Sequence, residues 1–194
     1  LKSIKFLLIS LIIILLNGCS STNMKDFENK TPKLNLFEFF KGETVAYGIF
    51  EDRFGKLRRQ FRVKIKGSVE ENTLTLDEKF IYDDGEKATR IWKIKKINEN
   101  NNLIKYEGSA DDVEGLATGT SVGNALNWTY DIYLNIKGSS LKVKFNDWIY
   151  KQDSNVAINR AYVSKFGIDI GSVTLVFLRG QTAKTVSPLN INSW

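Results

Sequence analysis

The chain has 194 residues, 42% of them apolar and 26% charged, which suits a single folded domain and not a disordered chain. It has no histidine and one cysteine, so imidazole-based triads, His-ligated metals, thiolate zinc sites and internal disulfides are all excluded. Its formal charge of +6 comes from basic residues spread along the chain as on a solvated face, a pattern that does not point to nucleic acid.

Lys2 and Lys5 precede an apolar run from Phe6 to Leu16, which then meets Asn17-Gly18-Cys19. The run is too short for a bilayer that needs about 20 apolar residues, so residues 1–18 are expected to be a cleaved signal peptide. Leu16-Asn17-Gly18-Cys19 resembles a bacterial lipobox, in which a leucine and a small residue precede the lipidated cysteine. Cys19 is therefore the expected lipid attachment site, and its acyl chains contact the membrane at about 0.8 kcal/mol per buried methylene. Ser20 follows it where an aspartate would retain a lipoprotein at the inner membrane, so the expected location is the outer membrane, facing the periplasm. Loss of Lys2 and Lys5 with the leader lowers the positive excess by two.

Residues 19–33 are polar, contain Pro32, and read as a lipidated tether. Leu34, Leu36, Phe37, Phe39 and Phe40 then predict a short helix or 3₁₀ turn, ended by Gly42, that caps something apolar. From Thr44 the pattern has period two, broken by turns such as Asp83-Asp84-Gly85-Glu86, and it predicts nine strands near 44–52, 57–69, 73–82, 88–97, 103–111, 125–136, 141–151, 156–166 and 172–179. Without a helical or βαβ pattern, an all-β, lipocalin-like antiparallel up-and-down β-barrel spanning 34–180 is expected, with 181–194 as a tail. Gly108, Gly115, Gly119 and Gly123 read as bends or bulges, in preference to a calcium loop built on Asp111, Asp112 and Glu114.

Strand parity assigns the interior. Leu126, Trp128, Tyr130, Ile132 and Leu134 share one face, and Asp147 shares the face of Leu141, Val143, Phe145 and Ile149. Arg90 goes with Trp92 and Ile94, Glu78 with Leu76, Phe80 and Tyr82, and Arg160 with Val156, Ile158 and Tyr162. Charges facing an apolar interior cost several kcal/mol unless paired, so ion pairs are expected, with Asp147–Arg160 foremost and Asn124 and Asn159 in the same network. The candidate ligand-binding residues are Tyr82, Arg90, Trp92, Trp128, Asp147 and Arg160, in which an arginine meets a carboxylate or phosphate and the aromatics pack an apolar body. These charges also admit a purely structural role that fixes register, and an acid in an apolar cavity admits a general-acid role.

Asp52-Arg53-Phe54-Gly55, Phe80 to Glu86 with Arg90 and Trp92, Gly123-Asn124-Ala125 with Trp128, Asp147-Trp148, and Ile158-Asn159-Arg160-Ala161 before Lys165-Phe166-Gly167 together resemble domain-of-unknown-function family 3833, bacterial lipoproteins mainly of Gram-negative proteobacteria. The resemblance covers Leu34 to Arg179, and the tail from Gly180 falls outside it. It supplies no catalytic residues. Its genes often lie near genes for fatty-acid modification and oxidative or light stress, which implies lipid physiology. The expected function is binding of an apolar or amphipathic small molecule, lipid or fatty acid, without catalysis, cofactor or metal. The alternatives are an interaction module in envelope assembly and, last, a lipid- or glycan-acting enzyme.

Overall fold

The computed structural model describes residues 22–100, 103–136, 139–186 and 188–194; the leader and Cys19 lie outside them. Among the described residues the alternating segments form ten strands: β1 (Gly42–Asp52), β2 (Leu57–Glu70), β3 (Thr73–Tyr82), β4 (Lys87–Asn100), β5 (Leu103–Ser109), β6 (Val113–Val122), β7 (Ala125–Ile136), β8 (Ser139–Lys151), β9 (Val156–Lys165) and β10 (Ile168–Arg179). Each pairs antiparallel with its chain neighbours, and β1 pairs with β10 from Thr44↔Arg179 to Asp52↔Gly171, so the sheet closes. Closure leaves no edge strand to be covered. The all-β, lipocalin-like up-and-down barrel is the architecture read from the alternation.

The strand that alternation misses is β6. Its glycines read as a bend, yet they pair with β5 and β7, with Gly119 opposite Tyr106 and Trp128. A Cβ at Gly119 would stand 2.2 Å from the Trp128 ring and one at Gly108 2.8 Å from it, so the indole lies against bare backbone on two strands. Gly115, at φ +68°, sits where the β6–β7 register slips between Glu114 and Thr118, which is the expected bulge.

One end of the barrel is stoppered. Helix α1 (Leu36–Phe40) starts where the Asn35 side chain accepts the Phe37 N–H at 3.0 Å, and it buries Leu36, Phe39 and Phe40. The Phe40 carbonyl presses on Gly67, where a Cβ would lie 1.8 Å from that oxygen, and its ring meets Phe177 edge-on at 5.1 Å. The Leu36 N–H donates to the Tyr106 hydroxyl at 3.3 Å and the Leu34 N–H to the Gly123 carbonyl at 2.7 Å, which ties the plug to β5 and the β6–β7 turn. Upstream, a 3₁₀ turn (Met24–Phe27) lays Phe27 on the outer wall, 6.0 Å from the Trp148 ring and 5.7 Å from that of Tyr150. After β10, helix α2 (Gly180–Thr185) leads to a tail whose Trp194 ring lies 4.4 Å beneath the Arg62 guanidinium, on the outside of β2.

Candidate functional site

Behind the plug the barrel encloses a cavity of about 540 Å³, running from Leu36 and Phe40 at the stoppered end to Arg58, Arg59 and Ile170 at the other. At that open end the β1–β2 and β9–β10 turns are adjacent, held by the Arg53 N–H donating to the Ile170 carbonyl at 3.0 Å. Their tips carry Phe54 and Phe166, 82% and 93% exposed. The volume falls within the roughly 300–1,000 Å³ of small-molecule sites.

The walls are apolar and rich in rings, because the inward rows of β2, β3, β4, β7 and β8 each bring at least one aromatic among their aliphatic side chains. Trp92 meets Trp128 edge-on at 5.7 Å and Tyr130 at 5.3 Å, which joins β4 to β7 across the barrel. Tyr130 stacks on Phe145 at 5.3 Å, and Tyr82 lies 5.6 Å from Phe61 nearer the mouth. Of the candidate residues, Tyr82, Arg90, Trp92, Trp128 and Asp147 all line this space.

Arg160 does not. The β8–β9 hairpin pairs Asp147 with Ala161 and Trp148 with Arg160, so with Asp147 inside, Arg160 must lie outside. There it donates to the Thr174 hydroxyl at 2.6 Å and stands 3.6 Å from the Glu51 carboxylate. The inward row of β9 is Ala157, Asn159, Ala161 and Val163, and the expected Asp147–Arg160 pair does not form. Small residues suit β9 because the opposing walls already fill the interior with rings, while the larger Ile158 and Tyr162 go to an outer wall that is itself partly apolar. Asn124 stays out of the interior network too, its amide donating to the Lys151 carbonyl at 3.2 Å.

The interior charges find other partners. Arg90 donates to Asp112 Oδ2 from Nη2 at 2.6 Å and from Nε at 3.0 Å, with Asp112 supplied by the β5–β6 turn. That spends Asp112 on an ion pair, and Glu114 is taken by Lys142 and the Tyr133 hydroxyl, so the acidic turn is not arranged as a calcium loop. At the mouth, Arg59 pairs with Asp84 and Glu86 while its guanidinium covers the Tyr82 ring at 3.5 Å, and Arg58 pairs with Asp52 at 2.6 Å.

Deeper in, Asp147 accepts hydrogen bonds from the Tyr130 and Asn159 side chains, both neutral. Glu78 has no hydrogen bond or ion pair among the described residues; Arg90 is its cross-strand neighbour but turns to Asp112. Burial pushes the Glu78 carboxyl up to about 7, only partly offset by the field of Arg90. Burial likewise pushes Asp147 up to about 7 against the pull of Tyr130, Arg90 and Asn159. Desolvation also raises the Tyr130 hydroxyl well above its ordinary range, so it is a neutral donor at physiological pH.

Among the polar partners deeper in the site, Tyr130 and Asp112 lie outside the candidate binding residues. Tyr130 shares the inward row of Trp128, and that parity was the available signal. Asp112 had none, since a turn residue's direction follows from how its hairpin folds over the barrel.

A family model described as "Protein of unknown function (DUF3833)" matches residues 13–179. No curated protein matches the sequence. Among solved structures, the S-type phycobiliprotein lyase CPES from Guillardia theta superposes with a TM-score of 0.57 at 8% identity, covering 82% of this chain and 98% of the lyase. A structure titled EF1p2_mFAP2b bound to DFHBI matches with a TM-score of 0.39 at 11% identity over 74% of this chain and 95% of its own. The first likeness is one of fold.

Proposed function

The chain belongs to the DUF3833 family, and we propose that it binds an apolar or amphipathic small molecule or lipid inside its barrel without transforming it. The observation that carries this is the cavity of about 540 Å³, closed by α1 at one end, walled by Trp92, Trp128, Tyr82 and Phe145, and holding a few polar groups to orient a ligand. A barrel whose interior served only as core would be filled by its side chains. The barrel shared with the phycobiliprotein lyase is a fold compatible with this reading. The lipobox around Cys19 supports an anchored protein at the outer membrane, facing the periplasm.

Native mass spectrometry of the full chain purified from a Gram-negative envelope, with solvent extraction, tests the binding. A stoichiometric small molecule released on denaturation is expected; a bare chain after incubation with envelope lipids overturns it. Replacement of Cys19 by Ala is expected to abolish the acyl mass increment and release the protein from membranes. Glu78 and Asp147, poised near neutral pH, favour a second reading in which they act as general acid and base on the bound molecule. Recovery of the extracted molecule unchanged after prolonged incubation with the protein would refute that second reading.

A further inference from the structure

We propose that the polar end of the ligand is a cationic or hydrogen-bond-donating nitrogen, such as a protonated amine on an apolar body, received by Glu78 and Asp147 inside the barrel. The inference rests on the binding reading above and names the chemistry of its ligand.

An anionic headgroup would need a cation whose charge is not already paired, and among the described residues each arginine lining the cavity has a carboxylate partner. Arg90 is held by Asp112 through two hydrogen bonds. Arg58 is held by Asp52, and Arg59 by both Asp84 and Glu86. Arg59 makes its hydrogen bonds through Nη2 and leaves its buried Nε–H unpartnered at the mouth, but with two carboxylates on its guanidinium that spot is negative on balance. The acceptors show the opposite excess: Glu78 has no partner among the described residues, and Asp147 has only the neutral donors Tyr130 and Asn159, so both retain capacity to accept from an incoming N–H. The aromatic walls point the same way, since the ring faces of Trp92, Trp128 and Tyr130 attract cations and repel anions. A nitrogen placed between these groups would supply the positive charge that the interior lacks, and a carboxylate or phosphate would meet two acids and no free cation.

The affinity should depend on pH in a defined direction. The groups that act on Glu78 are Arg90, Asp112, Asp147 and Asp77, and those on Asp147 are Tyr130, Arg90 and Asn159. Arg90 and Tyr130 do not change charge between pH 6 and 8, and an alkylamine stays protonated. Ionisation of the two acids over that interval therefore strengthens the hold on an amine.

The test uses the full chain and three probes of equal length, dodecylamine, dodecanol and laurate, each below its aggregation concentration, with binding read by tryptophan fluorescence and calorimetry. Two of the four tryptophans, Trp92 and Trp128, line the cavity, so the optical signal includes its interior, and calorimetry gives the affinity independently of the two outside. The amine is expected to bind at least tenfold more tightly than laurate at pH 8, with this advantage shrinking toward pH 6. Since the chain is +6 overall, adventitious surface attraction would favour laurate instead. In Glu78→Gln and Asp147→Asn the amine's advantage should fall several-fold while dodecanol affinity is kept, and retained dodecanol binding certifies an intact cavity. Laurate binding as tightly as the amine overturns this inference and leaves the binding reading standing. Failure of all three probes overturns both.

Discussion

The two interior acids make stability fall as pH rises, and the effect can be sized from the structure. An unfolded Glu78 ionises near 4.5 and an unfolded Asp147 near 3.8, whereas in the native barrel both hold their protons to about 7. Between those values the native state binds more protons than the unfolded state, so raising the pH favours unfolding, and the full loss is reached once pH exceeds the native values. At 1.36 kcal/mol per pK unit, the losses are about 3 kcal/mol for Glu78 and about 4 kcal/mol for Asp147, less than additive because each acid feels the other's charge. Urea denaturation of the ligand-free chain at pH 5, 6, 7 and 8 should show stability dropping by several kcal/mol, with most of the fall complete by pH 8. Glu78→Gln and Asp147→Asn should each flatten the curve by their own share and be more stable than the parent at pH 8. The surface carboxyls of Asp52, Asp84 and Glu114, held below their ordinary values by Arg58, Arg59 and Lys142, act in the opposite sense only as pH falls below about 4. A wild-type curve that is flat or rising from pH 5 to 8, or unchanged in both variants, would refute the argument.

Gly119→Ala should destabilise by about 1–3 kcal/mol in the same assay, because its methyl would drive into the Trp128 ring, and it should shift the tryptophan emission. Phe40→Ala should cost about 3–5 kcal/mol and loosen the stoppered end, seen as faster amide exchange in β2 and β10. Arg160→Ala should leave ligand binding within about twofold of wild type, whereas Arg90→Ala should destabilise by about 2 kcal/mol by stranding Asp112 beside Glu78; binding calorimetry and denaturation distinguish them.

Side-chain direction along a strand is a local property with period two, so it was legible wherever one parity was clearly more apolar. On β4, β7 and β8 the sequence alone determined that Arg90, Trp92, Trp128 and Asp147 face inward. On β9 both parities carry apolar residues, and the larger ones, Ile158 and Tyr162, lie outside; only the pairing of Asp147 with Ala161 decides the face of Arg160. On β6 the glycines hid a strand because their reason for being there, the Trp128 indole, belongs to a different strand. Closure decided the rest. It brought Asp112 from a turn onto Arg90, left Glu78 with the field of Arg90 but no direct ion pair among the described residues, and set Tyr130 and Asn159 on Asp147 from β7 and β9. These contacts join residues distant in the chain, and their geometry comes from register, strand number and the space left by opposing walls, which alternation along one strand does not encode.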